Sequence, residues 1–459
     1  MGKTKTIYLL LCTLMGIALF GESLTIDEAL KIAGENSLDL YTAERNLETS
    51  EREYRSRFNA LYPSLTATAA LNRANEASTI SGLIPVNETG PGTGIYDQVM
   101  SYESEASQVS LAAGIQGSLT LNPAIGDGIK YLKLAYESSG LEREKAEAAL
   151  ERDVKVSFHN LLYLERSIEL TQNSMETLRR EYELARVDFQ NGRISELQLL
   201  STQVAYKNME PILASQITNY KELRSSFFLL LGIDSDDELE LEGTIELPVD
   251  TAGIIEINPD LNRRFDIAAI DMSLAQTEID RQSTLHQSFF PSLTVSASWQ
   301  PVVSDPLENE TWDEGFSDPW SNTGSVGLTV AVPLDSWLPG SSARNSLAAL
   351  DAGLDILAEQ KETTARNALA EIELLRDKLN DSLLNIESLE LNLTVARRAY
   401  ELTEEGYRAG TQEFLALEEA EDDLNNAEQN LLQEKLNFLT TLFDFEYALN
   451  TELTEGEKL

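Results

Sequence analysis

The chain is poor in cysteine, histidine and basic side chains. Its single cysteine, Cys12, lies near the start, so a chain processed after that point carries no thiol and no disulfide. The two histidines, His159 and His286, are far apart in sequence and lack neighbouring cysteines or clustered acids, which argues against a metal centre. Lys and Arg number 35 against 77 Asp and Glu, a net charge of −42. A surface of that sign repels phosphate backbones and anionic headgroups, which sets aside nucleic acid and peripheral membrane binding. Long apolar runs are scarce too. The first, Ile7 to Phe20, follows Lys3 and Lys5, contains Gly16 and Ala18 and ends before Gly21. It is shorter than the ~20 residues a spanning helix needs. It reads as a secretory signal peptide over residues 1–21, and Leu11 before Cys12 disfavours a lipoprotein site. No later segment reads as a spanning helix, so a membrane crossing by this chain must use strands.

Catalytic signals are equally thin. Gly90-Pro91-Gly92-Thr93-Gly94 lacks the Lys-Ser/Thr tail of a phosphate loop and reads as an external loop. Asp234-Ser235-Asp236-Asp237 lacks the turn glycine and closing acid of a calcium loop. No Ser/His/Asp set and no paired carboxylates stand out, so no enzyme activity, cofactor or metal is expected.

What the chain does contain is a duplication. Tyr62-Pro63-Ser64-Leu65-Thr66 returns as Phe290-Pro291-Ser292-Leu293-Thr294. Phe189-Gln190-Asn191-Gly192 returns as Tyr407-Arg408-Ala409-Gly410, and Asn36-Ser37-Leu38-Asp39-Leu40 resembles Asn258-Pro259-Asp260-Leu261. Each half reads as helix, strand, loop, strand, long helix, tight turn, helix. The first repeat is placed at 22–257, with an irregular segment from about 232, and the second at 258–459.

Both halves carry a seam of alternating three- and four-residue steps. It runs through Leu161, Leu164, Ile168, Thr171, Met175, Leu178, Tyr182, Ala185 and Phe189. It recurs through Leu379, Ser382, Ile386, Leu389, Leu393, Ala396, Tyr400, Thr403 and Tyr407. Past the turns, Leu199, Thr202, Tyr206, Met209 and Leu213 match Leu417, Ala420, Leu424, Ala427 and Leu431. These are coiled-coil seams. The long helices, placed at 125–190 and 340–408, would each be about 100 Å long at ~1.5 Å per residue. A kink or break is expected at Pro211, which lacks an amide hydrogen.

Between the helices lie four alternating segments without charge: Leu65–Leu71, Val109–Leu121, Leu293–Gln300 and Ser325–Val332. Apolar residues alternate with Ser, Thr, Gln and Gly, the pattern of a barrel with lipid outside and water inside. Aromatic residues gather at their ends, among them Tyr62, Tyr102, Phe289, Phe290, Trp299, Trp312, Phe316, Trp320 and Trp337, as in interfacial girdles. Residues 72–108 and 300–324 read as long external loops. The competing reading is two soluble hairpins packed against helices, in a secreted periplasmic coiled-coil scaffold or adaptor. Four strands cannot close a barrel, so several copies must combine, with eight, twelve or sixteen strands all open on this ground.

The order of these motifs resembles the TolC-like outer-membrane efflux protein family across nearly all of the mature chain. The motifs are Tyr62-Pro63 and Phe290-Pro291 opening strands, Asn258-Pro259-Asp260-Leu261 opening the second half, Val332-Pro333-Leu334-Asp335 leaving the fourth strand, and Tyr407 to Thr411 at the second turn. The resemblance implies an α+β membrane protein. Four strands would join a trimeric twelve-stranded β-barrel, continued by a long coiled-coil periplasmic helical tunnel and a mixed equatorial region at 232–257 plus the C-terminus. It implies a passive exit duct in the bacterial outer membrane, docked to a periplasmic adaptor and an inner-membrane pump, in a tripartite efflux pump or type I secretion system. It also implies a tip gate. There a tyrosine stands three before the turn glycine, an arginine two after it, and aspartates six and nine after it. Those positions here are Tyr407, Gly410, Gln412, Ala416 and Glu419; in the first half Gln198 lies six past Gly192. The arginine and one acid are therefore absent, so a bolt of Arg–Asp pairs is not expected. Glu419 is the acid singled out as biasing the mouth toward cations, while Glu413, Glu418, Asp422 and Asp423 read mainly as a solvated face.

Overall fold

The fold is taken from a computed structural model. It describes residues 23–73, 79–88, 96–105, 109–234, 240–248, 253, 257, 259–304, 306, 320–321, 323–451 and 453. The proposed signal peptide, the Gly90–Gly94 motif, Asp236, Asp237, Asn258, Trp312 and Phe316 lie outside the described residues. The chain divides into two compact units. The first holds residues up to Ser50, Tyr136–Ser273 and Leu357–Leu459; the second holds Glu51–Ala135 and Leu274–Ile356.

The described elements follow the duplicated order. Helices α1 (Ile26–Asn36) and α2 (Leu38–Arg55) lead to strands β1 (Ser64–Arg73), β2 (Thr79–Glu88), β3 (Tyr96–Glu105) and β4 (Val109–Leu121). Helices α3 (Ala124–Gln190) and α4 (Glu196–Leu231) close the first half. The second half runs α5 (Phe265–Phe289), β5 (Ser292–Trp299), β6 (Val302–Ser304), β7 (Trp320–Ser321), β8 (Gly324–Ala331), α6 (Ser342–Arg408) and α7 (Phe414–Leu449). The duplication extends to length: α3 and α6 each have 67 residues, and α4 and α7 each have 36.

In the first unit, α1 starts with a capping box in which Thr25 accepts from the Glu28 amide and Glu28 returns to the Thr25 amide. This satisfies two orphan donors of the first turn. Ala29 and Ala33 then pack with Val154, Phe158, Leu161, Phe227, Phe228 and Leu231. The segment before α1 is held by backbone: the Leu24 amide donates to the Glu240 carbonyl at 2.7 Å, and the Glu242 amide to the Leu24 carbonyl at 3.0 Å. A second core gathers Ile372, Leu379, Phe438, Leu442 and Phe445 from α6 and α7. Ile245 touches both cores, which ties the irregular connector into the helical layer.

The second-half seam matches the sequence expectation closely. Leu379, Ser382 and Ile386 are buried, and Leu389, Leu393, Ala396, Tyr400, Thr403 and Tyr407 are half-buried. In α3 the seam residues Leu161, Thr171 and Leu178 are buried as expected, Ile168 and Met175 are half-buried beside buried Ser167 and Ser174, and Phe189 at its end is exposed. The reason is that α3 packs on two sides. Gln216 of α4 donates to Ser167 at 3.1 Å, and Asn425 of α7 donates to Ser174 at 3.2 Å. Of the kink or break expected at Pro211, the break does not occur: α4 is continuous through it. Proline removes one hydrogen bond from a long run, and the flanking turns keep theirs.

In the second unit the sheet runs β1–β4–β5–β8 with every pair antiparallel. Residues 72–108, expected as one long loop, instead contain β2 paired with β3, with register shifts beside Pro85. Segment 300–324 likewise adds β6, paired with β4 and β7. Proline cannot donate to a ladder, and the irregularity at Pro85 hides the strand from a period-two reading.

Candidate functional site

Cross-strand register decides which side chains share a face of the sheet. Leu65 pairs with Gly117, Ala67 with Ile115, Ala69 with Ala113 and Leu71 with Leu111. Ile115 pairs in turn with Trp299, Leu119 with Val295 and Leu121 with Leu293. Leu293 pairs with Val330, Val295 with Leu328 and Ala297 with Val326. One face across all four strands is therefore apolar up to Arg73 at the end of β1. The other carries Ser64, Thr66, Thr68, Gln116, Ser118, Thr120, Thr294, Ser296, Ser298, Ser325 and Thr329. Hydroxyls pair across it: Ser64 with Ser118 at 2.8 Å, Thr120 with Thr294 at 3.0 Å and Ser298 with Ser325 at 2.9 Å. The apolar face is uncovered within the chain: Val326 is 83% exposed, Leu65 74% and Leu328 69%. Among the described residues, β1 pairs only with β4 and β8 only with β5. The sheet thus presents two free edges and a bare greasy side.

Tyr62 and Pro63 follow a 3-10 turn (Arg57–Leu61) and precede β1; Phe290 and Pro291 stand between α5 and β5. Proline ends the helical path and supplies an extended backbone at the strand start. Near the second site, the Phe289 ring meets Trp337 edge to face at 5.4 Å. Beside it the His286 ring donates to the carboxylate of Asp127, which is almost fully buried, and packs against Phe290. That pairing brings together residues from opposite halves and was not visible in the sequence.

At the helical turns, Gly192 and Gly410 adopt left-handed backbones with φ of 71° and 75°. Glycine takes this conformation without strain. The Gly192 amide bonds the Phe189 carbonyl and the Gly410 amide bonds the Tyr407 carbonyl, each at 2.9 Å. Ser195 then caps α4 by accepting from the Gln198 amide at 3.3 Å. Gln412 is exposed and lies against Gly406, while Gln198 is half-buried.

Tyr407 is half-buried, and its hydroxyl is raised above the ordinary tyrosine value by burial and by Glu181 and Asp188. Glu419 is exposed on α7. The buried acids here are others. Glu421 is 8% exposed, and Glu181 is half-buried. Burial, followed by the Glu418 charge, lifts Glu181 to about 7. Burial, followed by Glu181, lifts Glu421 to about 8. Each has a buried Oε2 without a hydrogen-bond partner. Sequence reasoning missed both. The available signal was position: each acid lies directly beside a seam residue, Glu181 next to Tyr182 and Glu421 next to Ala420.

A sheet with one greasy and one small-polar face, in a chain with two repeated hairpins of long helices, defines the class of outer-membrane channel subunits. The model of the outer membrane efflux protein family matches residues 29–223 and 257–451, one stretch in each repeat. The chain belongs to that family. It is 22% identical over 434 residues to the probable efflux pump outer membrane protein TtgC of Pseudomonas putida, covering 90% of this chain and 80% of TtgC. It is 22% identical over 350 residues to the outer membrane protein TolC of Escherichia coli, covering 73% of this chain and 69% of TolC. In structure it resembles the outer membrane protein VceC of Vibrio cholerae with a TM-score of 0.69, at 16% identity, covering 93% of this chain and 96% of VceC. The chain is thus an outer-membrane efflux channel protein, with its place in the bacterial outer membrane. Family membership sets aside the soluble scaffold reading.

Proposed function

We propose that three copies of this chain form a passive exit duct, each contributing β1, β4, β5 and β8 to one twelve-stranded barrel. The carrying observation is the pair of free edges on a sheet whose register gathers its large apolar side chains on one uncovered face. Backbone groups at open edges cannot be left unpaired in hydrocarbon, so β1 of one copy meets β8 of the next. Three copies suit a water-filled lumen lined by the Ser, Thr and Gln face.

The helical repeats, 22–257 and 258–459, continue the duct into the periplasm. There they meet an adaptor protein and an inner-membrane pump. Residues 232–257 and the C-terminus form the equatorial region, and residues 1–21 are removed on secretion. The duct performs no chemistry. Tyr62, Pro63, Phe290 and Pro291 set where barrel strands begin. Gly192 and Gly410 are the turns about which the tip opens, with Tyr407, Gln198, Gln412 and Glu419 around them. Opening requires a partner that binds the splayed tip more tightly than the closed one.

The test is planar-bilayer conductance of the detergent-purified protein, together with its migration before and after boiling. Discrete conductance steps and a heat-labile band at three times the chain mass are expected. A stable monomer in plain buffer, with no conductance, contradicts the proposal.

A further inference from the structure

Three helices of the first unit meet near the two turns, and two acids are buried in their contact. Glu421 of α7 is more than nine-tenths buried, and its Oε2 has no hydrogen-bond partner. The Oε2 of Glu181 on α3 is likewise buried and without a partner. The strongest charge acting on Glu421 is that of Glu181, so the two carboxyls face one another across the α3–α7 contact. Two carboxylates cannot share a buried site without a compensating charge.

Among the described residues, no lysine or arginine pairs with either carboxyl. From α7, Glu418 and Asp422 add negative charge to the patch, and from α6, Glu404 does the same. Tyr400 and Tyr407 of α6 also face it: burial raises both hydroxyls, followed by Glu421 at Tyr400 and by Glu181 at Tyr407. At the edge of the patch Arg408 pairs with Glu404, not with either of the two buried carboxyls, while Arg180 pairs with Glu176 and, on α4, Lys207 with Glu210. Among the described residues no three acids or histidines are grouped to hold a metal ion. A proton is the ligand that removes the charge without needing a coordination shell.

We propose that Glu181 and Glu421 are a proton-binding pair, protonated while α3, α6 and α7 are packed together and deprotonated when they part, so that rising pH favours the splayed tip. The inference rests on the reading of the two turns as a gate. The sign follows from linkage. Both carboxyls sit above their ordinary 4.5, at about 7 and about 8. The packed state therefore holds more protons than the parted one between those limits. Packing is fully supported in acid and loses that support as pH rises through 7 and 8. Because the groups interact, the pair gives up its protons in two steps belonging to both.

The experiment measures amide hydrogen exchange of the detergent-purified full chain between about pH 6 and pH 9, corrected for the intrinsic rate, with bilayer conductance on the same preparations. Exchange at α3 near Glu181 and at α7 near Glu421 is expected to accelerate at least about tenfold across that range, with conductance rising in parallel. The E181Q/E421Q double variant mimics the protonated pair and should stay slow at every pH. E421Q alone should show a shallower slope, which keeps the test intact if the double variant fails to fold. E387Q, at an exposed position of α6 away from the turns, should behave as wild type. A flat wild-type profile, or a wild-type slope kept by both glutamine variants, overturns the pair. If exchange responds to pH and the variants flatten it while no conductance is seen, the pair stands and the channel reading fails.

Discussion

A side-chain carbon at Gly232 would lie 2.5 Å from the Asn36 carbonyl oxygen. Gly232 ends α4 in the left-handed region with φ of 69°, and this close approach docks α1 onto the helix end. At the matching end of α7, Asn450 takes φ of 49° and its side chain donates to the Arg263 carbonyl at 2.9 Å. Gly232→Ala combines steric overlap with backbone strain and should cost about 2 kcal/mol or more. Asn450→Gly loses one hydrogen bond but relieves the φ cost, so it should stay within about 1 kcal/mol. Urea or thermal unfolding of the two variants side by side checks the ranking.

The two sheet faces should respond oppositely to charge. Leu328→Lys places an ammonium on the apolar face, a cost of about 2–4 kcal/mol at mid-bilayer. Ser296→Lys on the opposite face should be tolerated and should alter ion selectivity instead. Recovery of boiling-sensitive oligomer from outer membranes reads the first effect, and reversal potential reads the second.

Within the first unit, Lys155 lies between Glu151 and Glu446, 3.5 Å from the latter. Burial works against its charge, but the Glu446 and Glu151 carboxylates outweigh that and raise its value above 10.5. Glu446 also accepts the Leu453 amide at 2.9 Å. Glu446→Gln keeps an acceptor for Leu453 but removes the attraction. Stability should fall by about 2–4 kcal/mol at neutral pH. The loss should shrink as pH rises through the raised lysine value, because a neutral amine no longer needs the carboxylate. Unfolding midpoints at neutral and strongly alkaline pH test this.

Glu419 is exposed near the second turn, where its charge can act on passing ions without a desolvation cost. Glu419→Ala should reduce cation preference in bilayer recordings while leaving single-channel conductance and thermal stability near wild type. Unchanged selectivity would remove Glu419 from the tip while leaving the duct intact.

Long-range architecture was legible in the chain because it rests on repetition. The helices expected at 125–190 and 340–408 are Ala124–Gln190 and Ser342–Arg408. The four charge-free zigzags became β1, β4, β5 and β8 because period two and an apolar face leave few alternatives. The β2–β3 hairpin was missed because charge and Pro85 interrupt its alternation. The α3 seam holds at Leu161, Thr171 and Leu178, and burial widens to Ser167 and Ser174 because a helix packed on two sides has no single stripe. The Glu181–Glu421 contact was out of reach for another reason. In sequence each is one acid among many, and only the tertiary meeting of α3 with α7 buries them together.

In the proposed trimer the β1 edge of one copy pairs with the β8 edge of another. With only Cys12 native, a panel of cysteine pairs at Thr66, Thr68, Thr329 and Ala331 can be introduced and oxidised in membranes. A covalent ladder ending at three chains, formed only by pairs joining β1 to β8, is the predicted result. Intramolecular bridging alone, or a ladder that ends at two or four chains, would contradict it.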